Sequence, residues 1–128
     1  MKLLLDTHAL LWWLAGDARL GPKARAAIED PANQVLVSHV SLWEIAIKIG
    51  IGKLRLDIGE AVEAIRARGL EELGLTAPHL VTLAALERHH RDPFDHMLVA
   101  QAIVEGGTLM TEDRRTRSMG SKSCRAGK

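Results

Sequence analysis

Apolar positions fall along this chain in short blocks of two kinds. Leu3-Leu4-Leu5 is a continuous apolar run that stops at Asp6, and Val35-Leu36-Val37 repeats the pattern inside Gln34–Ser38. Runs of this length predict strands buried on both faces, as in parallel sheets. Leu70–Leu75 and Thr108–Thr111 read as two further short strands. Between them lie segments of helical character: Ala9–Ala15, Pro22–Glu29 with proline at its first position, Ser41–Ile49, the polar Gly59–Arg68, Ala77–Arg88, and Phe94–Val104, the most apolar of them. Gly16-Asp17, Asp30-Pro31-Ala32-Asn33 and Gly106-Gly107 punctuate the series. Strands separated by helices predict an α/β fold, a three-layer α/β/α sandwich around a central parallel sheet with right-handed crossovers.

Composition narrows the setting. At 128 residues and 47% hydrophobic composition the chain suffices for one domain. The single Cys124 cannot make an intrachain disulfide, which fits a reduced, cytoplasmic location. Lys2 before an apolar run resembles the start of a signal peptide, but Asp6 and His8 interrupt it early, and no stretch reaches the length of a membrane span. The net charge of +1 conceals an asymmetry: all 16 acids lie in residues 1–113 and leave that part at −5, whereas residues 114–128 carry six basic residues and no acid. An acidic body argues against a protein that merely coats nucleic acid, and the basic end reads as a solvated, disordered tail.

Acids recur where the predicted elements meet. Asp6 follows the first strand, Glu44 opens the third helix, Asp92 and Asp95 open the late helix, and Asp113 follows the last strand. Each admits a local reading. Asp6 can cap the next helix, Ser41-Leu42-Trp43-Glu44 spells a capping box, Glu44 can pair with Lys48, and Asp92 before Pro93 is a natural N-cap. Asp95 fits less well, because it lies in line with Leu98, Val99 and Ala102, away from the Gln101–Glu105 edge expected to face solvent. In a parallel sheet, strand ends and helix starts gather at one edge, which would bring Asp6, Glu44, Asp95 and Asp113 towards one cleft. Oxygen ligands of this kind select Mg²⁺ or Mn²⁺ over zinc. The histidines, including His89, His90 and His96, lack zinc-ligand spacing and are expected at the surface or at helix ends, and Trp12, Trp13 and Trp43 in the core or an interface.

These same residues carry a resemblance. Leu-Leu-Leu-Asp6-Thr-His-Ala-Leu-Leu-Trp, Val-Ser-Leu-Trp-Glu44-Ile-Ala-Ile-Lys, Gly52-Lys-Leu, His90-Arg-Asp-Pro-Phe-Asp95-His-Met and Leu-Met-Thr111-Glu-Asp113 together resemble the PIN domain, in particular its VapC-type toxin ribonucleases, over residues 1 to about 115. The resemblance implies an endoribonuclease dependent on Mg²⁺ or Mn²⁺, with Asp6 and Asp95 as principal ligands, Glu44 and Asp113 completing the acidic site, Asp92 as an accessory acid, and Thr7 and Thr111 steadying the site. It further implies an RNA substrate, with tRNA as the family-level expectation, a small antitoxin as partner and a homodimer.

The C-terminus departs from that pattern. Residues 116–128 contain Met119 as the only large apolar side chain, so the family's final edge strand is expected to be missing and the site around Asp113 weakened. Two other functions therefore stay in view: a catalytically impaired PIN-fold protein that binds antitoxin or RNA, and a phosphatase-like hydrolase with Asp6 as nucleophile. The latter is disfavoured because no aspartate stands two residues after Asp6.

Overall fold

The computed structural model describes residues 1–87, 92–111 and, for the backbone, 122–124. Along the chain these form β1 (Lys2–Leu5), α1 (Thr7–Ala15), α2 (Pro22–Glu29), β2 (Gln34–Ser38), α3 (His39–Gly50), α4 (Ile58–Ala67), β3 (Glu71–Leu73), α5 (Ala77–Ala85), α6 (Pro93–Glu105), β4 (Thr108–Met110) and β5 (Lys122–Cys124). Every strand pairing is parallel, in the order β3-β2-β1-β4-β5.

The strand period of two explains the layers. Leu3 and Leu5 of β1, with Val35, Val37 and Met110, face a cluster that contains Leu10 and Trp13 of α1, Ile28 of α2 and Ile65 of α4. Leu4, Leu36 and Leu109 face the other way, against Met97–Ala102 of α6 and Leu83 of α5. Helix α3 serves both layers, Leu42 and Ile45 in the first and Val40 in the second. The expected α/β/α sandwich is the observed one.

Helix ends follow their local chemistry. Asp6 caps α1 by accepting from the Ala9 amide at 2.8 Å, and Gly16 closes the helix in the left-handed region at φ 64°. Gly106 does the same for α6 at φ 66°.

Several expectations are corrected. The sheet does not lack an edge strand: Lys122–Cys124 pairs parallel with β4 in the register Thr108↔Lys122 to Met110↔Cys124. Adding a strand at a sheet edge requires backbone N–H and C=O groups more than an apolar sequence, so the polar composition of this segment did not forbid it. The remaining residues of the expected tail, 116–121 and 125–128, lie outside the described residues, as do His89 and His90. Ser41 is not an N-cap, because α3 starts earlier and Ser38 accepts from the Val40 amide at 3.0 Å. Gln101 is not on a solvated stripe but fully buried, and His96, in the first turns of α6, is buried rather than at the surface. Both follow from α6 being covered on nearly all sides over residues 96–102, where the sequence lacks an amphipathic period to reveal a wet face. No helix among the described residues is long and apolar enough to cross a membrane.

Candidate functional site

The strand order reverses beside β1. Chain order runs from β1 outward through β2 and β3 on one side, and through β4 and β5 on the other. The carboxyl ends of β1 and β4 therefore flank a topological switch point, the place where open α/β sheets leave a crevice. Asp6 leaves β1 at this point and Thr111 leaves β4. The two strand ends are tied together, since the Asp6 amide donates to the Met110 carbonyl at 3.1 Å and the Thr111 side chain hydrogen-bonds the Asp6 carboxyl.

Asp6 is only 5% exposed. Burial pushes its carboxyl above the usual carboxylate range; the Ala9 amide, the Thr111 hydroxyl and the charge of His8 pull it back, and the charge of Glu44 pushes it up again. Asp6 is thus both helix cap and buried acid.

Glu44 reaches the same region from α3. Its carboxylate is buried, and both oxygens are engaged: Oε1 accepts from the Thr7 hydroxyl at 2.7 Å, and Oε2 lies 2.9 Å from the Lys48 ammonium. The Ser41 hydroxyl stands 3.3 Å from that of Thr7. The structure thus joins Asp6, Thr7, Glu44 and Thr111 by direct interactions.

Asp95 arrives on α6. Glu105 at the far end of this helix meets Lys2, at the amino edge of the sheet, at 3.8 Å. A helix of 13 residues is about 20 Å long, which sets its N-terminus at the carboxyl edge. There Phe94 packs edge-on against Trp43 with ring centroids 5.1 Å apart, linking the residue before Asp95 to the residue before Glu44. Asp95 itself is half-buried. Asp92 is the N-cap of α6, accepting from the amides of Phe94 at 2.9 Å and Asp95 at 3.4 Å. Asp113 lies outside the described residues.

Sequence reasoning missed two features that position these acids. The Trp43–Phe94 contact is one. The other is a buried polar chain behind α6, in which the Ser38 hydroxyl donates to Gln101 Oε1 at 2.5 Å and the Gln101 amide lies 3.3 Å from Nδ1 of the fully buried His79. Because His79 Nδ1 also accepts from the Thr76 amide at 3.0 Å, its Nε2 carries the proton donated to Glu105 at 2.9 Å. In the sequence its members stand apart, Ser38 at the end of a strand and Gln101 on a helix edge expected to face solvent.

Among the described residues no three Asp, Glu, His or Cys side chains form a ready-made ion cradle. The chemistry of the donors nevertheless suits a hard divalent ion. Asp6 and Glu44 are oxygen donors, one of them a carboxyl whose charge is opposed by burial and by the other's charge, and a cation between them relieves both penalties. A surface cavity of about 430 Å³ lined by Trp13, Ile28, Val35 and Leu70 opens near the start of β2, at the sheet edge opposite these acids.

Comparison with known proteins converges on one family. The family model of the PIN domain matches residues 3–122. The chain is 34% identical over 122 residues to Ribonuclease VapC22 of Mycobacterium tuberculosis, covering 90% of this chain and 89% of that protein. Among solved structures, a chain of the VapBC2 complex of Rickettsia felis, bound to a DNA fragment from its promoter, superposes with a TM-score of 0.77 at 15% identity, covering 98% of both chains. FitAcB from Neisseria gonorrhoeae gives 0.59 at 16% identity, with 97% of each chain covered.

Proposed function

The chain belongs to the PIN domain family, and on that premise we propose that it is a metal-dependent endoribonuclease acting as the toxin of a toxin–antitoxin pair. One observation carries the reading most directly: a buried aspartate at the switch point of a parallel sheet, with a second buried carboxylate near enough to oppose its charge. Capping accounts for one oxygen of Asp6 and Lys48 for one of Glu44; setting the two buried carboxylates against each other is the part of the arrangement that a divalent cation would use.

In this reading Asp6, Glu44, Asp95 and Asp113 would hold Mg²⁺ or Mn²⁺, which supplies activation of water and neutralisation of charge on a phosphodiester. The protein's own groups do the rest. The Ala9 amide and the Thr111 hydroxyl orient the Asp6 carboxyl, and Thr7 fixes Glu44. The attacking water's oxygen bonds to phosphorus as one phosphate ester P–O bond breaks, and its proton passes to a carboxylate of the cluster acting as general base. Asp92 contributes as the cap that fixes where Asp95 stands.

The proposal extends to partners. Support for an antitoxin comes from the VapBC2 and FitAcB complexes that share the fold, and support for RNA from the ribonuclease relative. Trp43, Ile47 and Ile51 form an exposed apolar stripe four residues apart along α3, a surface suited to the homodimer of this reading. Sedimentation of the purified chain tests it, and a monomer across the micromolar range rejects the dimer. A cytoplasmic setting is part of the same proposal. β5 supplies the edge strand whose expected absence was one motive for the impaired-protein alternative, which predicts a folded protein that leaves RNA uncut.

The deciding experiment is cleavage of a mixed tRNA and structured-RNA pool with Mg²⁺ or Mn²⁺, with EDTA, and with Asp6→Asn and Asp95→Asn. Cleavage that requires the ion and disappears in both variants is expected. Cutting that persists in EDTA or in either variant rejects the assignment.

A further inference from the structure

Lys48 is a cation placed against Glu44 of the acidic site. It sits one turn beyond Glu44 on α3, with Nζ 2.9 Å from Glu44 Oε2. An exposed pair of this spacing contributes little to any fold, because both charges are already well solvated. This pair is lopsided: the Glu44 side chain is 8% exposed and that of Lys48 34%. The carboxylate therefore depends on its counter-charge, whereas the ammonium can swing into water at little cost. The other carboxylate oxygen is committed to Thr7 at 2.7 Å, so Oε2 is the atom of Glu44 for which cations compete.

We propose that Lys48 is the resident counter-ion of Glu44, holding this carboxylate in place when no divalent cation is bound and competing with that cation for Oε2. The inference rests on the metal-dependent reading and goes beyond it by assigning Lys48 a role that opposes metal binding. Two positive charges cannot share one oxygen without mutual repulsion, so the divalent ion is bound at the expense of the Lys48 contact. Lys48 in this role is a positioning residue: it touches Glu44 and neither substrate nor reacting atoms.

The test is calorimetric titration of Mn²⁺ into EDTA-stripped, desalted full-length protein, alongside thermal melting without metal, for wild type, Lys48→Met and Lys48→Arg. Lys48→Met is expected to melt lower without metal and to bind Mn²⁺ at least threefold more tightly. Lys48→Arg, which keeps the charge, is expected to match the wild type in both. Should Lys48→Met fail to fold, Lys48→Gln removes the charge while retaining a polar end, and the same threefold gain is required of it. Unchanged or weaker Mn²⁺ binding in a folded uncharged variant overturns the inference and leaves the metal-dependent reading intact. A folded wild type that binds no Mn²⁺ overturns both.

Discussion

The Thr7 hydroxyl donates to Glu44 Oε1 at 2.7 Å, joining the residue that follows the first acid to the second acid on another helix. Both residues are buried and separated by 37 positions in sequence, so this bond fixes how α1 and α3 dock as well as how the carboxylate points. Thr7→Val preserves shape and removes the donor. Leaving a buried carboxylate one partner short costs about 1–3 kcal/mol. Urea denaturation is expected to register that loss, with RNA cleavage falling in parallel, whereas Thr7→Ser retains most of both. A Thr7→Val protein with wild-type stability would show that the bond does not organise the site.

Asp6 makes stability depend on pH in a direction opposite to that of an ordinary salt-bridged aspartate. Its carboxyl is held above the ordinary value of 3.8, chiefly by burial. The folded state therefore favours the protonated form. The stability this group contributes is fully present below 3.8 and is lost as pH rises through the raised folded value. Asp6→Asn keeps a good N-cap side chain and removes the charge, so at neutral pH without metal it is expected to be more stable than the wild type. Mn²⁺ is expected to raise the melting temperature of the wild type and not that of Asp6→Asn. Melting curves between pH 3.5 and 8, with and without Mn²⁺, check both; an Asn variant less stable than wild type without metal contradicts the account.

How far the sequence exposed this arrangement depends on how each residue announces itself. Leu3–Leu5 and Val35–Val37 are apolar on both faces, which only central strands of a covered sheet require, so β1, β2 and the layers were legible. The Glu44–Lys48 pair followed from helical spacing, and Asp6 was legible because it ends an apolar strand. β5 was not, because an edge strand is held by backbone groups that every sequence carries. Gln101 was misplaced because α6 is buried around most of its circumference, so a polar residue there signals an internal partner, here Ser38 from 63 positions away, rather than solvent. Long-range polar pairs of this kind have no local period to betray them. That Asp6 and Glu44 come to one edge followed from the parallel pattern, whereas the Thr7 hydroxyl that links their neighbourhoods needed the packing of α1 on α3, which spacing alone does not supply.

The Ser38–Gln101–His79 chain gives a further prediction. Gln101 bridges the end of β2 to α5 from within α6, and its removal leaves the buried Ser38 hydroxyl without its acceptor and takes from His79 Nδ1 one of the two groups that face it. Gln101→Leu is expected to lower stability by about 1–3 kcal/mol, with a fall of about 3–6 °C in melting temperature for each kcal/mol lost in a chain of this size. Because α6 also carries Asp95, cleavage should weaken more than the population of unfolded protein accounts for. Urea titration with an unchanged slope, compared with activity well below the melting temperature, separates the two effects. Full activity in a destabilised variant would assign the chain to stability alone.

Asp92 and Asp95 lie in one turn of one helix yet are predicted to fail differently. Asp92 Oδ1 accepts from the amides of Phe94 and Asp95, so the work of its side chain is to close the start of α6. Any acceptor of the same length can replace it. Asp92→Asn should leave stability nearly unchanged and reduce cleavage only slightly, whereas Asp92→Ala loses about 1 kcal/mol through the cap. Asp95 stands inside the helix and is not its cap, so Asp95→Asn, which keeps the shape and hydrogen-bonding capacity of the side chain, should still fold. Its cleavage activity, by contrast, should fall by at least a hundredfold, since an amide cannot supply the anionic oxygen on which the ion depends. Measuring melting temperature and cleavage rate for all three variants distinguishes capping from chemistry. If Asp92→Asn proves as inactive as Asp95→Asn while remaining folded, Asp92 belongs among the ligands and its capping contact is incidental.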